Sequence, residues 1–213
     1  KTIGQRLHDN NIECGYIGKW HLDGSDYFGN GVCPDGWNPK YWYDMRTYLS
    51  ELSDEDKIRS RDSQTSYTEG FSEEFTYAHR CSDRAIAYLN EFKDQDFFLT
   101  VSYDEPHGPS LCPAPFNHMY DGFCFESSPS FQDDLSKKPM LQQLWAGKNL
   151  HAPESEINKA SKGLSLFLGC NSFADYEMGR VLDVISKLAP DAMVIYTSDH
   201  GDMLGAHRLT SKN

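Results

Sequence analysis

Lys19 and His21 stand two residues apart, directly after a short apolar run closed by Gly18, in the stretch GYIGKWHLDG. A primary amine and an imidazole there offer positive charge and hydrogen-bond donors to an anion. His107 lies between two prolines in DEPHGP, residues 104–109. Asp199 and His200 open DHGD, residues 199–202, and Lys212 follows shortly after. A carboxylate beside an imidazole is a usable half of a divalent-metal site. A metal together with several cations suits a tetrahedral oxyanion, sulfate or phosphate. Each motif alone has a plainer reading. GKWH can be a solvated strand end, and PHGP a rigid turn.

The elements that would position these residues give them a common place. Three short apolar or β-rich runs read as buried parallel-type strands: Cys14 to Gly18, Phe97 to Tyr103 and Ala192 to Ser198. A helical pattern precedes each. Ile3 and Leu7 mark the first. Ala85, Leu89 and Phe92 mark the second, with Ser82 as its expected cap. Met178, Val181, Leu182, Ile185 and Leu188 mark the third, which Pro190 ends. Helix followed by strand, three times, predicts an α/β layered fold. In such sheets ligands bind beyond the carboxyl ends of the strands, so the three polar tails are expected to share one cleft. The intervals from Asp23 to Tyr77 and from Glu105 to Ala160 read as long functional loops or short elements. Trp37, Tyr41, Trp42 and Tyr43 read either as a packed loop anchor or as a substrate-stacking surface.

The 213 residues favour one domain, with room for a small second lobe. A net charge of −12 argues against nucleic acid as the main partner, since phosphate backbones select basic faces. It leaves a small anionic substrate open, because a few cations can dominate one pocket. No apolar run is long enough to span a membrane. None of the six cysteines forms a CxxC pair, which disfavours structural zinc. Cys14, Cys81 and Cys170 read as buried thiols. His207 and Asp202 read as loop-ordering residues, and His79, His118 and His151 have no motif support.

GYIGKWHL, EPHGP and YTSDHGDMLGAH with a later lysine resemble the type I, formylglycine-dependent sulfatase family of the alkaline phosphatase-like superfamily. The resemblance runs from end to end of the chain, although the long loops match poorly. It implies an α/β, alkaline phosphatase-like layered fold: a mostly parallel sheet flanked by helices, incomplete at both ends. Residues 1–213 would be the central part of a catalytic domain. It implies hydrolysis of a small-molecule or saccharide sulfate ester by a formylglycine hydrate made from a Cys or Ser. Lys19 would bridge that residue and the sulfate, and His21 would hydrogen-bond its hydroxyl. His107 would contact the sulfate and the leaving oxygen, and Lys212 would neutralise a sulfate oxygen. Asp199 and His200 would ligate a divalent metal, calcium by the family pattern, with manganese as the alternative. The resemblance also implies an exported setting, periplasmic, secreted or lysosomal.

One departure is severe. Cys33 and Cys112 are each followed directly by Pro, and SSPSF at Ser127 ends in Phe131, so no Cys/Ser-x-Pro-x-Arg motif is present. The expectation is a nucleophile upstream of Lys1, a chain inactive alone, and a sheet lacking its central strand, with exposed edges and poor stability. Two alternatives stay open. One is a phosphonate monoester or phosphodiester hydrolase of the same superfamily. The other is a non-catalytic anion- or metal-binding module.

Overall fold

The computed structural model describes residues 1–23, 27–68, 70–123, 129–151 and 162–212. Ser127 of SSPSF and Cys124 lie outside the described residues. The chain divides into two compact units. The first holds Lys1–Tyr120 and Leu166–Ala192, the second Asp121–Ser165 and Met193–Asn213.

In the first unit, Thr2 caps helix α1 (Ile3–His8) through a capping box with Gln5. Strand β1 (Glu13–Gly18) follows, then the short helices α2 (Met45–Ser50) and α3 (Asp54–Arg59). Helix α4 (Tyr77–Phe92) leads into strand β2 (Phe97–Ser102). The two strands pair in parallel, from Glu13 opposite Phe97 to Gly18 opposite Ser102. This is an α/β fold with a parallel sheet flanked by helices.

Two helix boundaries differ from expectation. Ser82 is no cap. Helix α4 begins at Tyr77, where Thr76 Oγ1 accepts from His79 N–H at 3.1 Å. Ser82 is buried inside the helix, its hydroxyl 2.9 Å from that of Tyr103. Helix α6 runs over Lys162–Leu188, well upstream of the stretch whose spacing marks it. Its first part packs instead on the loop after β2. Cys170 Sγ lies 3.4 Å from the Leu111 carbonyl. A Cβ on Gly169 would meet the Phe116 carbonyl oxygen at 2.1 Å. That close approach explains a glycine in mid-helix.

The core of this unit is aromatic. Ile17, Tyr43, Tyr77, Tyr88 and Leu89 are buried where β1, the α2 loop and α4 meet. Trp20, Trp37 and Trp42 form a second cluster with Tyr16, which resolves the aromatic loop in favour of packing. Cys14, Cys81 and Cys170 are buried free thiols, as expected.

The second unit contains helix α5 (Met140–Ala146) and a small cluster of Leu135, Ala146 and Leu209. The expected third strand is not formed. Residues 192–198 carry no ladder, and Met193, Ile195 and Tyr196 are 88%, 77% and 73% exposed. A β-rich run becomes a strand only by hydrogen-bonding to a neighbouring edge, and no described residue supplies one here.

Candidate functional site

Gly18 ends β1 at φ +114°, and a Cβ there would meet the Ser102 carbonyl oxygen at 2.0 Å. Only glycine accommodates both constraints. The turn is held on both sides, by Gly18 N–H donating to the Tyr43 carbonyl and Lys19 N–H to that of Ser102, each at 2.7 Å. The next side chains divide. Trp20 is buried against Tyr16, Trp37 and Trp42, its indole N–H donating to Asp23 Oδ1 at 2.9 Å. Lys19 and His21 turn to the other side of this anchor, toward Tyr27.

Because Gly18 and Ser102 are in register, the tail of β2 leaves the sheet beside that of β1. The loop after β2 is closed by His107 N–H donating to the Asp104 carbonyl and Ser110 N–H to that of His107, each at 2.9 Å. The buried Asp104 carboxylate lies 3.1 Å from Lys19 Nζ through Oδ1, an ion-pair contact rather than an aligned hydrogen bond. Its Oδ2 accepts from the Tyr27 hydroxyl at 2.5 Å. His107 stacks on the Tyr27 ring with centroids 4.8 Å apart. Lys19 Nζ sits 4.9 Å from that centroid, and His21 meets the ring edge-on at 5.8 Å. The structure thus brings three of the expected residues, Lys19, His21 and His107, around Tyr27. An amine and two imidazoles gathered at paired strand ends can bind an oxyanion and exchange protons with it.

Tyr27, Asp104 and Glu105 were not singled out by the sequence. Asp104 and Glu105 do adjoin His107 in DEPHGP, so that motif held the signal. Tyr27 had none, since it folds back from a long loop. Glu105 Oε1 accepts from Ala78 N–H at 2.9 Å, in the first turn of α4. The residue is half-buried, but its Oε2 is shielded from solvent and meets no hydrogen-bond donor among the described residues. Burial first, and the Asp104 charge second, push this carboxyl up to about 8.

Asp199, His200 and Lys212 belong to the second unit. Asp199 and His200 share one exposed turn, with His200 Nε2 3.1 Å from Asp199 Oδ2. His200 Nδ1 lies 3.0 Å from the Gly201 carbonyl. The imidazole Nε2 and the Asp199 carboxylate thus stand side by side. Two such donors side by side suit a divalent cation, so this pair fits half of a metal site. His207 Nδ1 pairs with Asp133 at 3.0 Å and Asp202 Oδ1 accepts from Leu204 N–H at 2.9 Å, the expected ordering roles.

A second cluster of metal-capable atoms was not expected. Donor atoms of Glu73, His79 and Glu177 lie within 4.8 Å of one another. Arg180 already occupies this cluster, 2.7 Å from Glu177 Oε2 and 3.1 Å from His79 Nδ1. It also reaches Asp83 at 2.7 Å. With a guanidinium in the cation's place, the cluster acts as an ion-pair clamp between α4 and α6.

A family model described as Sulfatase matches residues 1–213. The chain belongs to the sulfatase family. It is 41% identical over 221 residues to a relative named "Uncharacterized sulfatase YidJ" of Escherichia coli (strain K12), covering 99% of this chain and 43% of that protein. Over 143 residues it is 27% identical to human iduronate 2-sulfatase, covering 59% of this chain and 26% of that one. The phosphonate monoester hydrolase of Agrobacterium radiobacter shares the fold, with a TM-score of 0.68 at 17% identity over 99% of this chain and 49% of that one. This sulfatase-family chain therefore spans less than half the length of the YidJ relative and of that solved structure.

Proposed function

We propose that the protein containing this chain is a sulfuric ester hydrolase acting on a small-molecule or saccharide sulfate ester. One observation carries the reading: the in-register ends of β1 and β2 hold the Lys19 ammonium and the His107 ring against one Tyr27–Asp104 pair. Family membership and sulfatase-named relatives support it.

Lys19 neutralises a sulfate oxygen, its own charge held in place by Asp104. His107 presents a ring nitrogen to the leaving oxygen, where in its protonated form it supplies the proton as the bond to sulfur breaks. His21 hydrogen-bonds the nucleophile's hydroxyl, and Lys212 adds a further cation. The nucleophile in this reading is a formylglycine, for which these 213 residues hold no Cys/Ser-x-Pro-x-Arg motif, so alone they are expected to be inactive. Asp199 and His200 would hold the divalent metal, calcium in this reading, which would supply Lewis-acid stabilisation of oxyanion charge.

The test is a substrate panel on the full-length enzyme, with its upstream sequence read for Cys/Ser-x-Pro-x-Arg. Turnover of sulfate esters, abolished when that Cys or Ser is replaced by Ala, is the expected result. Turnover of phosphonate monoesters or phosphodiesters with none of sulfate esters would overturn it.

A further inference from the structure

Tyr27 is where Lys19, His21 and His107 converge. Its hydroxyl has one proton and two lone pairs. The proton goes to Asp104 Oδ2 at 2.5 Å. Burial and the Asp104 charge push the phenol well above its ordinary range, with the Arg61 guanidinium opposing, so the hydroxyl remains a donor. What Tyr27 presents to His107 Nδ1, 3.3 Å away, is therefore a lone pair. The Gly108 carbonyl, 3.0 Å from the same nitrogen, presents another acceptor. A ring nitrogen between two acceptors keeps its proton, which leaves Nε2 to meet a substrate. The stacked ring fixes the imidazole plane. Asp104 Oδ1 also steadies Lys19 at 3.1 Å while the ammonium lies over the Tyr27 ring.

We infer that Tyr27 is a positioning residue: its hydroxyl couples Asp104 to His107 and keeps the His107 proton on Nδ1, while its ring holds the Lys19 ammonium. The kinetic consequence rests on the sulfatase reading above. The proton's position rests on the geometry alone.

The experiment uses the full-length enzyme with 15N-labelled histidine, and its Tyr27→Phe variant. Spectra are recorded at the alkaline end of the His107 titration, where the ring is neutral. In the wild type the His107 proton is on Nδ1. In Tyr27→Phe, which keeps the ring and loses the hydroxyl, a substantial fraction moves to Nε2. With an aryl sulfate, kcat of the variant falls about tenfold while KM stays within about twofold, because the Lys19–ring contact survives. Tyr27→Ala raises KM as well. A wild-type proton on Nε2 overturns the inference without needing any variant to fold. An unchanged proton position in Tyr27→Phe also overturns it. If the wild type turns over phosphodiesters and no sulfate ester, the functional reading fails, and the two spectra still decide the role of Tyr27.

Discussion

At the residue scale, the Lys19, His21 and His107 cluster was legible because each lies in a short motif at the end of an apolar run. Their partners were not. Tyr27 and Asp104 matter through contacts that only folding creates, and a Tyr in a loop carries no spacing signal. Glu105 gives the clearest pH prediction. Its folded pKa is raised to about 8, so between the ordinary carboxylate range and that value the folded state binds a proton the unfolded chain does not. Its contribution to stability is present at low pH and is lost as pH rises through this window. The loss is on the order of 1–3 kcal/mol once the residue's partial solvent access is discounted. Glu105→Gln should abolish that slope, so its melting temperature overtakes the wild type's between pH 5 and about 9. Parallel pH profiles of the two proteins would contradict the assignment.

At the element scale, β1, β2 and the helices before them were readable from periodicity, because each packs on a neighbour that the chain supplies. The third strand was not, because residues 192–198 have β-rich side chains without a described edge to pair with. The α4–α6 clamp was also invisible, since His79 and Glu177 are far apart in sequence. Glu177 is fully buried between His79 and Arg180. Glu177→Ala should cost roughly 3–5 kcal/mol in denaturant unfolding, because it strands Arg180 and His79 without their buried partner. Arg61→Ala, at an exposed position outside the clamp, should cost far less. Gly18→Ala should be severe for a different reason, since its Cβ would strike the Ser102 carbonyl oxygen at 2.0 Å. The β1 tail must shift to relieve that clash, so both stability and sulfate-ester turnover should fall.

At the scale of the whole molecule, the first unit carries a parallel strand pair with a cation cluster at its carboxyl end, and the second unit carries a metal-capable turn. Family membership was legible because GKWH, PHGP and DHGD keep their order along the chain. Substrate identity was not, because no motif encodes the shape of the long loops. Removing the metal with a chelator should abolish turnover in the full-length enzyme and calcium should restore it, while Asp199→Ala should show neither bound metal nor activity. The most direct test of the central claim is sulfate-ester turnover by the full-length enzyme compared with its Lys19→Ala variant. The expected result is a loss in kcat/KM of roughly 100-fold or more, with the fold retained by circular dichroism. A variant that hydrolyses the sulfate ester at the wild-type rate would contradict it.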